Sequence, residues 1–437
     1  METSTLLRRG APLFVSALCV TATALANEAA SEAPSAFPVL EQPATQPVAP
    51  AEYGWSYQPG TGLTYSSADG GNKISFGGRI MNDWAFMSAD DGTKGVDPTN
   101  PFVDGTEFRR ARLEASGTLY DKVSFKASYD FASNPTTGFR DVWMGISDVV
   151  GTTDFRVGKQ KEPFSLEEIT SSKYITFMER SLANSMAPAY NTGAVLHDHY
   201  DESHVSYGIG VFRDTGEDGS SAQQKDGAYN FTGRVTWAPV YDAEDARLVH
   251  VGIAGSLRRP EMSSGVSTRP EAHLAPPVLD SGSINTDQVT QYGGEFAWVG
   301  GPWSVQAEYI MQTISGLAGA PDVDTTGYYA FVSYFLTGES RPYHASDGSF
   351  GRVKPAKNYG QDGSGAWELA ARYSSLDIDA PAVATAGDVN DITIGANWYL
   401  NPNARIMFNY VLGDLDSNTD AFDGNMNIFM MRFQVDF

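Results

Sequence analysis

The chain has 437 residues, 53 acids against 30 bases, and a formal net charge of −23. An excess of that sign argues against a nucleic-acid partner, because phosphate backbones are bound by a basic face. The single cysteine, Cys19, cannot build a disulfide scaffold or a Cys-ligated zinc site.

Taken from the start, residues 1–26 read as an export signal. Arg8 and Arg9 supply the positive region, Ala11 to Leu25 the apolar run, and Ala24-Leu25-Ala26 a small-x-small cleavage site before Asn27. The run is too short to span a membrane comfortably and no stop-transfer pattern follows. Leu18 is too bulky for lipoprotein processing at Cys19. Cleavage after Ala26 leaves 437 − 26 = 411 residues, without cysteine. Removing Glu2, Arg8 and Arg9 gives 53 − 1 = 52 acids and 30 − 2 = 28 bases, a net of −24. Residues 27–52 are Ala/Pro/Glu-rich and read as an extended linker. The folded domain is expected over 53–437.

From there the chain repeats one pattern, apolar and polar side chains in strict alternation. Ile74, Phe76, Ile80, Trp84 and Phe86 share a face, with Arg79 and Asp83 on the other. Val123 to Phe131 alternates without a break, as do Tyr229–Trp237, Trp303–Tyr309 and Trp367–Tyr373. Sixteen strands are predicted, near 74–86, 108–119, 123–131, 139–147, 154–160, 191–199, 203–213, 228–238, 247–257, 289–298, 302–312, 326–336, 365–374, 390–400, 403–413 and 426–437. Tight turns at Tyr120–Lys122, Tyr200–Glu202, Val299–Gly301 and Asn401-Pro402 alternate with long polar segments at 87–107, 161–190, 214–227, 258–288, 313–325, 375–389 and 414–425. The segment 337–364 breaks the alternation. By parity it is a short turn, yet it has 28 residues, so either a strand is miscounted or the turn end carries one long excursion.

Amphipathic strands suit a soluble sandwich or propeller, or a barrel whose greasy face meets lipid. Repeated charge on the polar face, aromatics at strand ends (Tyr328-Tyr329, Trp398-Tyr399, Tyr410) and the alternating last strand ending in Phe437 favour the barrel. The expected fold is all-β, a 16-stranded antiparallel transmembrane barrel with short periplasmic turns and long extracellular loops. Asn401-Pro402 then closes a periplasmic turn, with Ile406, Phe408 and Tyr410 toward lipid and Arg405 and Asn409 toward the lumen.

The stretches "NWYLNPNARIMFNY" (397–410), "SYFLTGESRPY" (333–343), "GAWELAARYSSLDI" (365–378), "GGPWSVQAEY" (300–309) and "KEPFSLEEITSSKYITFMERSL" (161–182) resemble the phosphate-selective porin O and P family. The likeness runs from about Tyr53 to Phe437. It implies a trimeric outer-membrane porin that passes small anions by diffusion, phosphate or polyphosphate in the best-known members. It also places phosphate-contacting groups in and beside loop 161–190: Ser171 and Ser172 as hydroxyl donors, Arg180 as a guanidinium fork, and Asp141 as acceptor for a phosphate proton.

A 30-residue loop without turn punctuation folds into something, and in a porin it narrows the bore. Fixed donors and a bidentate arginine suit a dehydrated phosphate. The alternative is that Ser171, Ser172 and Arg180 anchor the loop, with Arg180 paired to Glu167, Glu168 or Glu179. Arg79, Arg110, Arg112, Lys126, Arg234, Arg372, Arg405 and Arg432 fall on the lumen-facing stripe, with Arg109 on the opposite face. Together they suggest a track guiding anions. Singly, each suits a wall ion pair with Glu114, Asp83 or Asp130.

The loops themselves are acidic, as at Asp90-Asp91, Asp214 to Asp218 and Asp414 to Asp423. This departs from the basic loops of phosphate-selective members and keeps weakly selective, cation and oligosaccharide variants open. Those acids suit divalent cations bridging to lipopolysaccharide, or a solvated face. His197 and His199 share a face but have no third ligand nearby in sequence, so no metal is assigned. No cofactor or catalytic motif stands in a suitable context. An outer-membrane enzyme built on His197, His199 and Ser203 or Ser206, and a secreted β-rich binding module, are the rival readings.

Overall fold

The computed structural model describes residues 53–132, 137–221, 226–260 and 263–437. The expected signal and linker, 1–52, lie outside the described residues.

Sixteen antiparallel strands form the wall: β1 (Lys73–Ala89), β2 (Gly105–Leu119), β3 (Val123–Asp130), β4 (Gly138–Val150), β5 (Thr153–Lys161), β6 (Tyr190–Tyr200), β7 (Val205–Arg213), β8 (Asn230–Asp242), β9 (Arg247–Arg258), β10 (Ile284–Gly300), β11 (Trp303–Gly316), β12 (Val323–Phe335), β13 (Ala366–Asp379), β14 (Gly387–Asn401), β15 (Ala404–Ser417) and β16 (Gly424–Asp436). Each pairs with its neighbour in sequence, and β16 returns to β1 in register from Met426↔Ala89 to Asp436↔Arg79. The sheet is therefore a closed barrel, which removes the free edges along which sheets aggregate. Each of the sixteen predicted spans meets one of these strands. Gly78 donates its N–H to the Phe437 carbonyl and accepts from the Phe437 N–H, sealing the chain end to β1. A Cβ on Gly78 would sit 2.4 Å from the Arg112 carbonyl, so the wall is tight there.

The alternation predicted from sequence sets the outer face. Phe76, Ile80, Trp84 and Phe86 point outward and are more than 40 % exposed, while Arg79 and Asp83 are buried inside. On β15, Tyr410 is exposed and Arg405 and Asn409 are buried. An outer band of this kind is what hydrocarbon solvates.

Three features depart from expectation. First, the loops predicted at 313–325, 375–389 and 414–425 shrink to 317–322, 380–386 and 418–423, because the strands run on through polar residues such as Asp377, Asp388, Asp414 and Asp416. Such residues read as loop, yet cross-strand hydrogen bonds still pay for the extended backbone. Second, the apolar stripe is not confined to the outside. Ile310, Ile314, Leu376, Met407, Val411, Leu415, Met426, Ile428 and Met430 are buried, and they pack into one cluster with residues of two in-folded loops, 162–189 and, from the segment expected as an outer loop, 263–283. Third, Arg109 does not face away from Arg110. The register between β1 and β2 slips there, from Met81↔Arg110 to Asn82↔Phe108. A bulge of this kind re-aims a side chain, and Arg109 reaches loop residue Glu179 at 2.9 Å.

Segment 336–365 is a long excursion and not a missing strand pair. It folds into the barrel around a two-rung hairpin, Tyr343–His344 with Ser349–Phe350. Tyr343 and Phe350 are buried. Arg234 of β8 donates to the Asp347 and Gly348 carbonyls at 2.9 and 2.7 Å. Gly348 lies at φ +61°, and a Cβ there would approach Thr236 Oγ1 to 2.7 Å, so both backbone and space call for glycine.

Candidate functional site

Loop 162–189 enters the barrel and divides it. Phe164, Leu166, Phe177, Met178, Leu182 and Met186 are buried, most of them against the inner faces of β10–β16. A loop so placed has backbone groups cut off from water, each needing a partner. The wall supplies them. Glu308 accepts from the Leu166 and Glu167 N–H groups at 3.0 and 2.7 Å. Arg405 donates to the Ile175 carbonyl at 2.9 Å, Asn397 to that of Thr176 at 2.8 Å, and Gln291 to that of Met186 at 2.6 Å. Ser374 Oγ accepts from the Leu182 N–H at 2.9 Å.

Two buried arginines complete the attachment. Arg432 reaches Asp83 at 2.6 Å and Glu179 at 2.7 Å, and donates to the Met178 carbonyl. Arg372 joins Glu167 at 3.2 Å to Glu271 of the second in-folded loop at 2.5 Å. Burial opposes ionisation of Glu179, but the Arg109, Arg432 and Arg110 guanidinium groups outweigh it and hold its pKa well below the usual carboxylate range.

On the other side of the loop lies an open cavity of about 900 Å³. Of the residues singled out in sequence, Arg79, Arg110, Arg112, Lys126, Asp141, Ser171, Ser172, Arg180 and Arg234 line it. Arg372, Arg405 and Arg432 do not. They sit beneath the loop, sealed from the cavity, and hold it to the wall, so the expected single row of cations divides in two. Sequence spacing could not separate the groups, because both lie on the same alternating stripe.

Within the cavity most cations already have partners. Arg79 pairs with Glu114 and donates to Ser172 Oγ at 2.8 Å and Ser171 Oγ at 3.4 Å. Arg112 meets Asp130 at 2.7 Å, Lys126 meets Asp141 at 3.0 Å, and Arg234 grips Glu295 through two bonds of 2.7 and 3.1 Å. Arg180 is spent on the loop itself. It donates to the Glu167, Glu168 and Thr170 carbonyls at 2.9, 3.2 and 3.1 Å and lies 3.3 Å from the Glu168 carboxylate.

Two cations differ. Among the described residues, Arg110 has no carboxylate within ion-pair distance, and its one side-chain bond is to Met81 Sδ at 3.6 Å. Arg156 stacks on the Trp143 ring, 4.1 Å from guanidinium carbon to centroid, also without a carboxylate within that distance. Arg156 escaped the sequence reading, although Phe155 and the outward Val157 flank it on the alternating strand. Lys161, Tyr190 and Asp347 also line the cavity. The lining carries eight cations, namely Arg79, Arg110, Arg112, Lys126, Arg156, Lys161, Arg180 and Arg234. It carries six carboxylates, namely Asp141, Asp148, Asp154, Asp198, Asp201 and Asp347. Four further carboxylates, Glu114, Asp130, Glu168 and Glu295, pair with Arg79, Arg112, Arg180 and Arg234 from behind that lining. On the loop, burial lowers the Lys173 ammonium pKa to about 8, with Arg79 adding to the shift. His197 and His199 line the cavity too, and His199 lies 3.3 Å from Asp201. Ser206 is hydrogen-bonded to Thr236 Oγ1 at 2.7 Å.

A closed 16-stranded barrel with an outer apolar band, a loop narrowing its lumen and a cation-lined opening is the architecture of a pore. The description "Phosphate-selective porin O and P" matches residues 76–437. This chain belongs to the phosphate-selective porin O and P family. Porin O of Pseudomonas aeruginosa is 29 % identical over 425 residues, spanning 86 % of this chain and 91 % of the relative. In fold the porin is similar to an anion-selective porin from Comamonas acidovorans, with a TM-score of 0.53 at 11 % identity, covering 84 % of this chain and 100 % of that one. It is similar also to the outer-membrane channel DcaP of Acinetobacter baumannii, with a TM-score of 0.53 at 11 % identity and coverage of 85 and 99 %. The porin is an outer-membrane diffusion channel, with the short-turn end facing the periplasm and the long loops facing outward.

Proposed function

We propose that the channel passes small anions, phosphate or polyphosphate among them, through the eccentric opening between loop 162–189 and the wall of β1–β8. The observation that carries this reading is the pair of arginines, Arg110 and Arg156, that line the cavity with no carboxylate of the described residues within ion-pair distance. A cation so placed attracts a mobile anion, whereas a paired one mainly braces the wall. Ser171 and Ser172 support the reading. Arg79 donates to their oxygens, which leaves each hydroxyl proton free to point at a phosphate oxygen. In this reading Asp141, paired with Lys126 at 3.0 Å, accepts the proton of a hydrogen phosphate. Arg79, Arg112, Lys126, Arg180 and Arg234 contribute field while holding their partners.

The same reading gives a homotrimer bedded in outer-membrane phospholipid and lipopolysaccharide, exported by the signal at 1–26. A weakly selective pore is the second reading, favoured by Asp148, Asp154, Asp198 and Asp201 on the same lining near the periplasmic turns. The reversal potential across a KCl gradient in a planar bilayer tests both. We expect the anion-favouring sign, and chloride current that falls as phosphate is titrated in. A cation-favouring sign would remove the anion proposal. A potential near zero with no phosphate block would favour the weakly selective pore.

A further inference from the structure

Before β1 the chain makes a hairpin that is not one of the sixteen strands of the closed wall. Its strands, Gly54–Gln58 and Gly62–Ser66, pair with each other, and the second pairs with the foot of β1 in register from Leu63↔Phe76 to Ser66↔Lys73. That foot lies below the point where β16 stops, at Asp436↔Arg79. The hairpin thus covers the stretch of β1 edge that barrel closure leaves bare, and extends the wall at its periplasmic end.

Its two faces differ. The register stacks Trp55 on Tyr65 on Ile74, and Tyr57 on Leu63 on Phe76. Six apolar or aromatic side chains therefore share one outward face, and Trp55 contacts the rings of Tyr65 and Phe76 at 5.4 and 6.4 Å. Trp55 is 61 % exposed and Tyr57 53 %. The opposite face carries Thr64 and Ser75, buried and hydrogen-bonded to each other at 2.8 Å. From Tyr53 to Ala68 no residue is charged, in a chain that is 19 % charged.

We propose that this hairpin is a membrane-interface element, its outward face seated among the phospholipid headgroups of the periplasmic leaflet. Continuity selects the occupant. The patch continues on the same face of β1 from Phe76 to the exposed Ile80, Trp84 and Phe86. Chemistry sets the depth. Among the described residues the outer edge of Gly54–Gln58 has no strand partner, and unpaired backbone groups are too costly in hydrocarbon. Headgroups and their water satisfy them, and Trp and Tyr are the side chains that prefer that zone, with an apolar ring and a polar tip.

The full-length porin, reconstituted in phosphatidylcholine–phosphatidylglycerol vesicles, tests this with an environment-sensitive fluorophore on Tyr57→Cys, outward, and on Ser56→Cys, on the opposite face. Both sites are on an exposed strand, and unchanged heat-modifiable mobility on gels certifies the barrel in each. We expect the label at 57 to be quenched at least two-fold more by headgroup-level nitroxide lipid than the label at 56, and more than by nitroxide deep in the acyl chain. Equal quenching of both labels by aqueous iodide would overturn the proposal by placing the hairpin in the periplasm. So would a label at 57 shielded from lipid and iodide alike, which would mean that a second copy of the chain covers the face.

Discussion

The lumen has two halves built from the same kind of strand. Along β10–β16 the inner face is apolar or anchoring, and two loops pack against it. Along β1–β8 the inner face is charged and the space stays open. The difference shows that alternation decides which side chains turn inward, whereas in-folded loops decide which of those meet water. An arginine in the first half is a rivet and in the second half a wall charge, though both sit on the same stripe.

The comparison breaks most severely at the rivets. Arg372→Ala leaves Glu167 and Glu271 buried together without their cation, a loss of ~3–5 kcal/mol. We expect a lower urea midpoint and a larger, noisier single-channel conductance as the loop lifts. Arg432→Ala is expected to act in the same direction through Asp83 and Glu179. Unchanged conductance in both variants would mean that the loop is held by packing alone.

A step smaller is the outer band. Ile394 lies outward and exposed near the middle of β14. Ile394→Arg should cost ~2–4 kcal/mol of barrel stability in lipid, against little for Arg156→Gln on the open side. Equal midpoints for the two variants would mean that lipid does not solvate this face.

On the open half, neutralising the unpaired cations should spare the fold and change the current. Arg110→Gln with Arg156→Gln is expected to weaken phosphate block of chloride current about tenfold, equivalent to ~1.4 kcal/mol, with the urea midpoint within experimental scatter of wild type. A block of undiminished strength would shift the anion site elsewhere in the lumen.

The smallest effect is one of pH. The Lys173 pKa is lowered to about 8 from the usual lysine value, so the ammonium is charged below that pH and neutral above it. The anion-to-cation permeability ratio should therefore decline as pH rises from 7 to 9, and Lys173→Gln should flatten that step. A decline that persists in Lys173→Gln belongs to another group.

Much of this architecture was legible in the residues alone, for a plain reason. A strand in lipid must satisfy its backbone with neighbours and turn one face to hydrocarbon, so period-2 alternation, tight turns such as Asn401-Pro402 and a terminal Phe437 report the barrel locally. Loop 161–190 was legible as a constriction because 30 residues without turn punctuation fold into something, whereas 258–288, of similar length, was read as an outer loop and also turns inward. The sites read less well. Ser171, Ser172 and Arg79 do converge, but nothing local in Arg372, Arg405 or Arg432 distinguishes them from Arg110.

Sequence by itself determined the strand count, the lipid-facing stripe and eight of the inward cations, from Arg79 to Arg432, since each depends on neighbours one or two residues away. Only tertiary structure decided which cations stay unpaired, that Arg109 turns inward at a bulge, that segment 336–365 enters the barrel, and that the pore runs along one wall. Those outcomes depend on contacts between residues as far apart as Arg372 and Glu167, or Arg234 and Gly348. Pairing of that kind depends on distance in space, which alternation along a single strand does not encode.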